Sequence, residues 1–308
     1  METIIVIAGP TAVGKTSYSL EIAKALGGEI VSCDSMQLYR YMDIGSAKAT
    51  DLEQKQVPHH LLDVLDPSDA CTAARYQKLA KEAIFGILQR GKVPIIVGGT
   101  GLYLHSLLYD MDFGTVKSDT KTRNQLQTIA DEKGKDALYS MLQEEDPKAA
   151  DRIHPNNVKR VIRALQAAKE GHPLDAIEKA EEPTKDYRVL LLGLTRPREE
   201  LYQRINQRVV QLIEQGLIEE VKMLLDRGLT AEDTAMKGIG YKEIIAYLSG
   251  QYNLETAIDT VQKNTRHYAK RQMTWFKKYK SMEWFDISLY PSKEAVTEDM
   301  LQWIKRNM

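Results

Sequence analysis

The apolar positions of this chain fall into short runs alternating with longer amphipathic stretches. Thr3-Ile-Ile-Val-Ile-Ala8 is a nearly unbroken apolar run of strand length and predicts a buried strand. Ser17 to Leu26 reads as a helix, and Glu29-Ile-Val-Ser32 as a second strand ending at Cys33-Asp34-Ser35. Thr72 to Gln89 predicts a helix with Gly91 at its C-terminal stop. Val93-Pro-Ile-Ile-Val97 predicts a third strand, running through Gly98-Gly-Thr-Gly101 into a helix from Leu102. Strands alternating with helices imply an α/β fold around a parallel sheet. Ligands of such sheets gather at the C-terminal strand ends, where Asp34 and Thr100 follow their strands.

The pattern changes at Phe113. From there to about Tyr187 no strand pattern occurs, while Thr120–Glu132, Lys135–Glu145 and Asn156–Lys169 read as helices. The sheet resumes with Arg188 to Leu194, and helices follow over Arg198–Glu214, Leu217–Arg227, Tyr241–Leu248 and Leu254–Tyr279. Glu283-Trp-Phe-Asp-Ile287 suggests one further strand before a terminal helix. The expected architecture is a P-loop NTPase-like parallel-sheet core over residues 1–113 and 188–308. A helical insertion domain occupies 114–187, and the C-terminal part is largely helical.

Composition narrows the class. The chain has 308 residues, 43% hydrophobic and 28% charged, enough for one large or two smaller cores. No apolar run spans a bilayer, and the N-terminal stretch is too short for a signal peptide. Two cysteines, Cys33 and Cys71, with no C-x-x-C pair argue against a disulfide framework or zinc ribbon and for a reducing cytoplasm. Nothing demands more than a monomer. The net charge of −1 hides an uneven distribution: Asn264–Lys280 carries Arg266, Lys270, Arg271, Lys277, Lys278 and Lys280 without an acid. Tyr268, Trp275, Phe276 and Tyr279 lie between them. That run suits either a nucleic-acid footprint or a surface helix with a buried aromatic stripe.

Gly9-Pro-Thr-Ala-Val-Gly-Lys15-Thr16 fits G-x-x-x-x-G-K-[ST] between a strand and a helix. There backbone N–H groups and a helix N-terminus converge on a diphosphate, Lys15 adds charge, and the Thr16 hydroxyl is placed to ligate Mg²⁺. Gly9, Thr11, Ala12, Val13, Gly14, Lys15 and Thr16 are the candidate diphosphate-binding residues. Asp34 suits a substrate-facing base, a magnesium ligand or a turn residue. Thr100 suits contact with a leaving oxygen or an ordinary helix cap. Arg204 and Arg208, four apart, share a helix face and suit either a diphosphate clamp or salt bridges to nearby glutamates. Arg152, Lys159, Arg160 and Arg163 surround a helix start at Asn156 or Asn157, a setting for RNA phosphates or for solvated charge. Adjacent His59 and His60 point apart on an extended segment, and no third metal ligand has convincing spacing. These residues alone leave open a P-loop small-molecule kinase and a nucleotide-gated RNA-binding module.

Several motifs in order give the chain its closest likeness. Gly9–Thr16, Asp34-Ser-Met-Gln-Leu-Tyr39, Met42-Asp-Ile-Gly-Ser-Ala-Lys48, His59-His-Leu-Leu-Asp63, Gly98-Gly-Thr-Gly-Leu-Tyr103, Arg152-Ile-His-Pro-Asn156, Ala235–Glu243 and Thr265–Trp275 span nearly its whole length. Together they resemble the bacterial tRNA dimethylallyltransferases, with Ser46 where a Thr is more usual and without the zinc finger of eukaryotic relatives. The resemblance implies transfer of a dimethylallyl group from dimethylallyl diphosphate to the N6 amine of the adenosine 3′ to the anticodon. In that reading the P-loop holds the diphosphate with Mg²⁺, Asp34 is the general base, Thr100 contacts the leaving oxygen, and Arg208 neutralises the leaving group. Asp34, Ser35, Met36, Gln37 and Thr100 would meet the flipped base. Arg123, Asn157, Lys159, Arg160 and Arg163 of the insertion would grip the anticodon stem-loop, with phosphate contacts from Arg266, Lys270 and Arg271. The nearest alternative acceptor is free AMP, against which the long insertion argues.

Overall fold

The computed structural model describes residues 1–111, 120–169 and 182–308. Its centre is β1 (Thr3–Ala8), whose residues from Ile4 onward are buried. Both faces of a central parallel strand are covered by helices, so an unbroken apolar run is what the position requires. β2 (Glu29–Cys33), β3 (His59–His60), β4 (Pro94–Gly98), β5 (Arg188–Thr195) and β6 (Glu283–Asp286) complete a six-stranded sheet in the order β3-β2-β4-β1-β5-β6. Every pairing is parallel. The expected α/β, P-loop-like core is the fold observed.

Helices α1 (Lys15–Leu26), α2 (Asp51–Gln56), α3 (Ala73–Gln89) and α4 (Gly101–Leu108) connect the first strands. The helix α1 begins at Lys15, two residues before the apolar periodicity does, because Gly14 at φ 113° turns the loop into it. Between Ile7, Ile22, Ile95, Leu192 and Phe285 runs the main core, and each fully buried side chain there contributes roughly 1.5–3 kcal/mol. The strand β3 and the helix α2 were not legible in the sequence. Two residues are too few to show alternation, and α2 has no buried face.

The chain divides into two compact units. One comprises Met1–Leu108 and Lys185–Met308, the other Tyr109–Thr184. The expected boundary at 113/114 lies outside the described residues. Within the second unit α5 (Thr120–Glu145), α6 (Pro147–Ala150) and α7 (Val158–Lys169) close on their own core of Leu126, Leu138, Leu142, Val161 and Leu165. Gly134, at φ 85° and ψ 162°, breaks α5 where two separate helices were predicted. In the first unit follow α8 (Arg198–Glu214), α9 (Leu217–Asp226), α10 (Tyr241–Leu248), α11 (Leu254–Phe276) and α12 (Lys293–Asn307). No helix among the described residues is long and apolar enough to cross a membrane.

Candidate active site

The C-terminal ends of β1, β2 and β4 lie side by side, and the loops that leave them meet there. Gly98 makes this possible: a Cβ at that position would stand 2.1 Å from the Cys33 carbonyl oxygen. The same carbonyl accepts from the N–H groups of Gly99 at 3.2 Å and Thr100 at 3.1 Å. Thr100 Oγ1 in turn accepts from Ser35 N–H at 3.1 Å. Asp34 closes a turn, its Oδ1 accepting from Met36 N–H at 2.9 Å. Two residues read separately from the sequence are thus locked together by backbone bonds across adjacent strands.

Beside them the loop Gly9–Thr16 wraps the start of α1. A Cβ on Gly9 would meet the Leu194 carbonyl oxygen at 2.7 Å, and Val13 is fully buried. These two residues therefore build the base of the loop. Ala12 sits in the left-handed region at φ 63°, and Arg204 Nε donates to its carbonyl at 3.0 Å. Arg196 Nε does the same to Val13 O at 3.2 Å. Of the two arginines weighed on α8, Arg204 thus binds the loop itself and makes no glutamate pair among the described residues. The Lys15 ammonium lies 3.0 Å from Gly9 O and 2.9 Å from Pro10 O. Burial pushes its pKa down to about 8; Asp34 opposes that shift and Arg208 adds to it. The Arg208 guanidinium is likewise lowered, first by burial, with Asp34 raising it and Arg204 lowering it. Two cations facing one carboxylate leave an excess of positive charge where a polyanion would sit.

Two cavities of about 460 and 450 Å³ open here, and Thr11, Ala12, Asp34, Arg208 and Tyr268 line both. Gly14, Lys15, Thr16 and Gln37 line the first, while Ser35, Met36 and Arg271 line the second. Thr100 lines neither; it acts through Ser35 and through a hydrogen bond with the Tyr268 hydroxyl. Burial and then Asp34 hold the Tyr268 hydroxyl well above the usual tyrosine range. Gln272, 4% exposed, ties the site together: its Oε1 accepts from Thr11 N–H at 2.9 Å and its Nε2 donates to Gly99 O at 2.9 Å.

Neither Tyr268 nor Gln272 was singled out as a site residue. Both sit in the basic run of α11, where a neutral amide and a tyrosine among cations carry no motif of their own. The remaining aromatics of that run point inward: Phe276 and Tyr279 are buried, and Trp275 covers Gly101, where a Cβ would lie 2.6 Å away. Lys270 and Arg271 are exposed, whereas Arg266 Nη1 is committed to Asn206 Oδ1 at 2.6 Å. Arg123, Asn157, Lys159, Arg160 and Arg163 belong to the second unit, all exposed, on α5 and at or within the start of α7.

His59 Nδ1 contacts Val57 O and His60 Nε2 contacts Glu29, both at 2.7 Å. Among the described residues no three His, Cys, Asp or Glu side chains gather to hold a metal. The Thr16 hydroxyl and the Asp34 carboxylate are nonetheless hard oxygen donors on the first cavity. They suit Mg²⁺, which keeps several waters and uses few protein oxygens beside substrate phosphates.

Residues 37–279 match the family model of IPP transferases. The tRNA dimethylallyltransferase of Alkaliphilus oremlandii is 50% identical over 303 residues, 98% of this chain and 97% of that protein. That of Alkaliphilus metalliredigens is 53% identical over 294 residues, 95% and 94% of the two chains. The crystal structure of the full-length tRNA isopentenylpyrophosphate transferase of Bacillus halodurans superposes with a TM-score of 0.74 at 43% identity, covering 99% of this chain and 96% of that one. A eukaryotic dimethylallyltransferase acting on tRNA gives a TM-score of 0.83 at 29% identity, over 99% of this chain and 80% of its own. The chain belongs to the IPP transferase family.

Proposed function

We propose that the chain transfers the dimethylallyl group of dimethylallyl diphosphate to the exocyclic N6 amine of the adenosine 3′ to the anticodon in tRNA, releasing pyrophosphate. The observation that carries this reading is the junction of the two cavities. One is walled by the phosphate loop and its cations, the other opens beyond it, and Asp34 and Arg208 stand where they meet. A donor diphosphate in the first and an extruded base in the second would present amine and allylic carbon to each other at that junction. Extrusion costs a few kcal/mol of stacking, less from a loop than from a duplex.

In the transfer step the N6–C1 bond forms, the C1–O bond to diphosphate breaks, and the amine loses a proton. The amine is a weak nucleophile because its lone pair is delocalised into the ring. Asp34 takes the proton, a role worth about 10²–10⁴ in rate. Lys15 and Arg208 offset the charge that gathers on the departing diphosphate. Thr100, bonded to Ser35 and Tyr268, keeps the Asp34 turn in register. Thr16 would hold Mg²⁺, which when bound supplies further neutralisation of the diphosphate. The exposed cations of the second unit serve the anticodon stem, and we read the enzyme as a cytoplasmic monomer.

The test is transfer of radiolabel from dimethylallyl diphosphate, with Mg²⁺, to an anticodon stem-loop carrying the target adenosine. Label on the stem-loop and none on AMP is the expected result. Label on AMP alone, or hydrolysis of ATP without transfer, would overturn it.

A further inference from the structure

Glu220 is a carboxylate that the transfer chemistry does not use, yet it is only 7% exposed. It stands in the first turn of α9. Its Oε2 accepts from Asp43 N–H at 2.8 Å and Ile44 N–H at 2.7 Å. Its Oε1 accepts from Gly45 N–H at 3.0 Å and from the Tyr241 hydroxyl at 2.8 Å. Successive backbone N–H groups turned toward one point form a concave anion-binding nest. Here the anion is the protein's own side chain, and four donors satisfy a charge that burial would otherwise penalise. Tyr241, fully buried, presses its ring on the same loop: a Cβ at Gly45 would stand 2.5 Å from it.

What this latch holds is part of the site. From Gly45 the chain continues to Ser46 and Ala47, which line both cavities. Their carbonyls each accept from Gln37 Nε2 at 3.4 Å, and Gln37 Oε1 accepts from Ser32 Oγ at 2.8 Å. Ala47 is in the left-handed region at φ 46°, which a residue with a Cβ occupies only when its surroundings enforce it. The phosphate loop has a different set of anchors, Gln272, Arg204 and Arg196. The loop that walls the junction and the loop that grips phosphate are therefore fixed independently.

Building on the prenyl-transfer reading, we propose that Glu220, braced by Tyr241, is a positioning residue that sets the 43–47 wall, whose Gly45, Ser46 and Ala47 line the second cavity, against the acceptor base. It leaves the diphosphate grip untouched. Displacing the wall by about 1 Å is enough to cost on the order of 10²-fold in turnover.

Glu220→Gln tests this, because its NH₂ faces N–H donors where an oxygen accepted two. The expected result is a fall of about 10- to 100-fold in kcat/KM for the stem-loop, with affinity for inorganic pyrophosphate within about twofold of wild type. Amide hydrogen exchange should quicken at Asp43–Gly45 and stay unchanged over Gly9–Thr16. Tyr241→Phe keeps the ring on Gly45 and should move the same readouts in the same direction by less; it carries the test if Glu220→Gln does not fold. Unchanged kcat/KM and exchange in these variants would overturn the proposal. So would equal losses in pyrophosphate affinity and phosphate-loop protection, which mark a general loosening. If wild type transfers nothing to the stem-loop the functional reading fails, while exchange at Asp43–Gly45 still decides what Glu220 holds.

Discussion

Asp34 combines two duties, accepting a hydrogen bond within its own turn and lining both cavities. Asp34→Asn keeps the size and the acceptor but removes the base. It should lower single-turnover transfer by about 10²–10⁴ while pyrophosphate binding persists; turnover within a few-fold of wild type would remove Asp34 from the chemistry. Lys15 makes a pH prediction. Its pKa falls from the usual 10.5 to about 8 in the free protein, and a bound diphosphate favours the charged form. Binding then takes up a proton above pH 8, so pyrophosphate affinity should weaken by up to about tenfold per pH unit there. Stability has the opposite sign: between pH 8 and 10.5 the unfolded chain holds more protons on Lys15, so this group adds stability as pH rises. Calorimetric titration of pyrophosphate should show the affinity slope in wild type and lose it in Lys15→Met. An identical slope in both would assign it to the ligand's own ionisation. Lys15 and Thr16 came from a motif and Asp34 from its place after a strand, whereas spacing left Arg204 and Arg208 equal and only the family resemblance chose between them. Gln272 and Glu220 were not legible, because a neutral amide in a basic run and one acid among many acquire meaning only from the backbone atoms they reach.

Elements with long periodic patterns were legible, and the short ones were not. The helices α8 and α11 follow their apolar stripes, whereas β3 exists because its neighbour β2 offers an open edge. Glu29 shows how that edge is secured. It is 8% exposed at the start of β2 and accepts from Arg90 Nε at 3.2 Å and Nη2 at 2.6 Å, at the end of α3. It also meets His60 of β3 at 2.7 Å. The Arg90 hydrogen bonds are the largest cause holding its carboxyl below the usual 4.5, ahead of the opposing burial and the His60 bond. A depressed carboxyl stabilises the fold above its unfolded pKa, and that stability is lost as pH falls through the folded value. Glu29→Gln should therefore cost about 1–3 kcal/mol in urea denaturation at neutral pH, with the difference shrinking well below pH 4.5. An equal difference in acid would mean that packing, not charge, ties these elements together.

At the scale of the whole molecule, the loss of strand pattern after Phe113 announced a second unit, because an all-helical stretch cannot extend a parallel sheet. What the sequence could not rank is which of its many cations serve RNA. Net charge is −1, so binding to a polyanion depends on placement. In α7 the buried residues Val161, Ile162, Ala164 and Leu165 occupy one face, and Lys159, Arg160 and Arg163 are exposed on the other. A one-signed face of this kind contributes through release of counterions from phosphates, about 0.7–0.9 in the slope of log K against log salt for each phosphate contacted. Replacing Lys159 and Arg160 by alanine should flatten the slope for stem-loop binding by about 1.5 if each meets one phosphate. Stem-loop titrations between about 50 and 200 mM salt would measure it. Pyrophosphate affinity should not change, since among the described residues those lining the first cavity belong to the other unit. A slope equal to wild type would make these cations a solvated face and move the RNA contact to Lys270 and Arg271. Flattening with pyrophosphate affinity intact would assign the grip on RNA and the grip on the donor to different units of one chain.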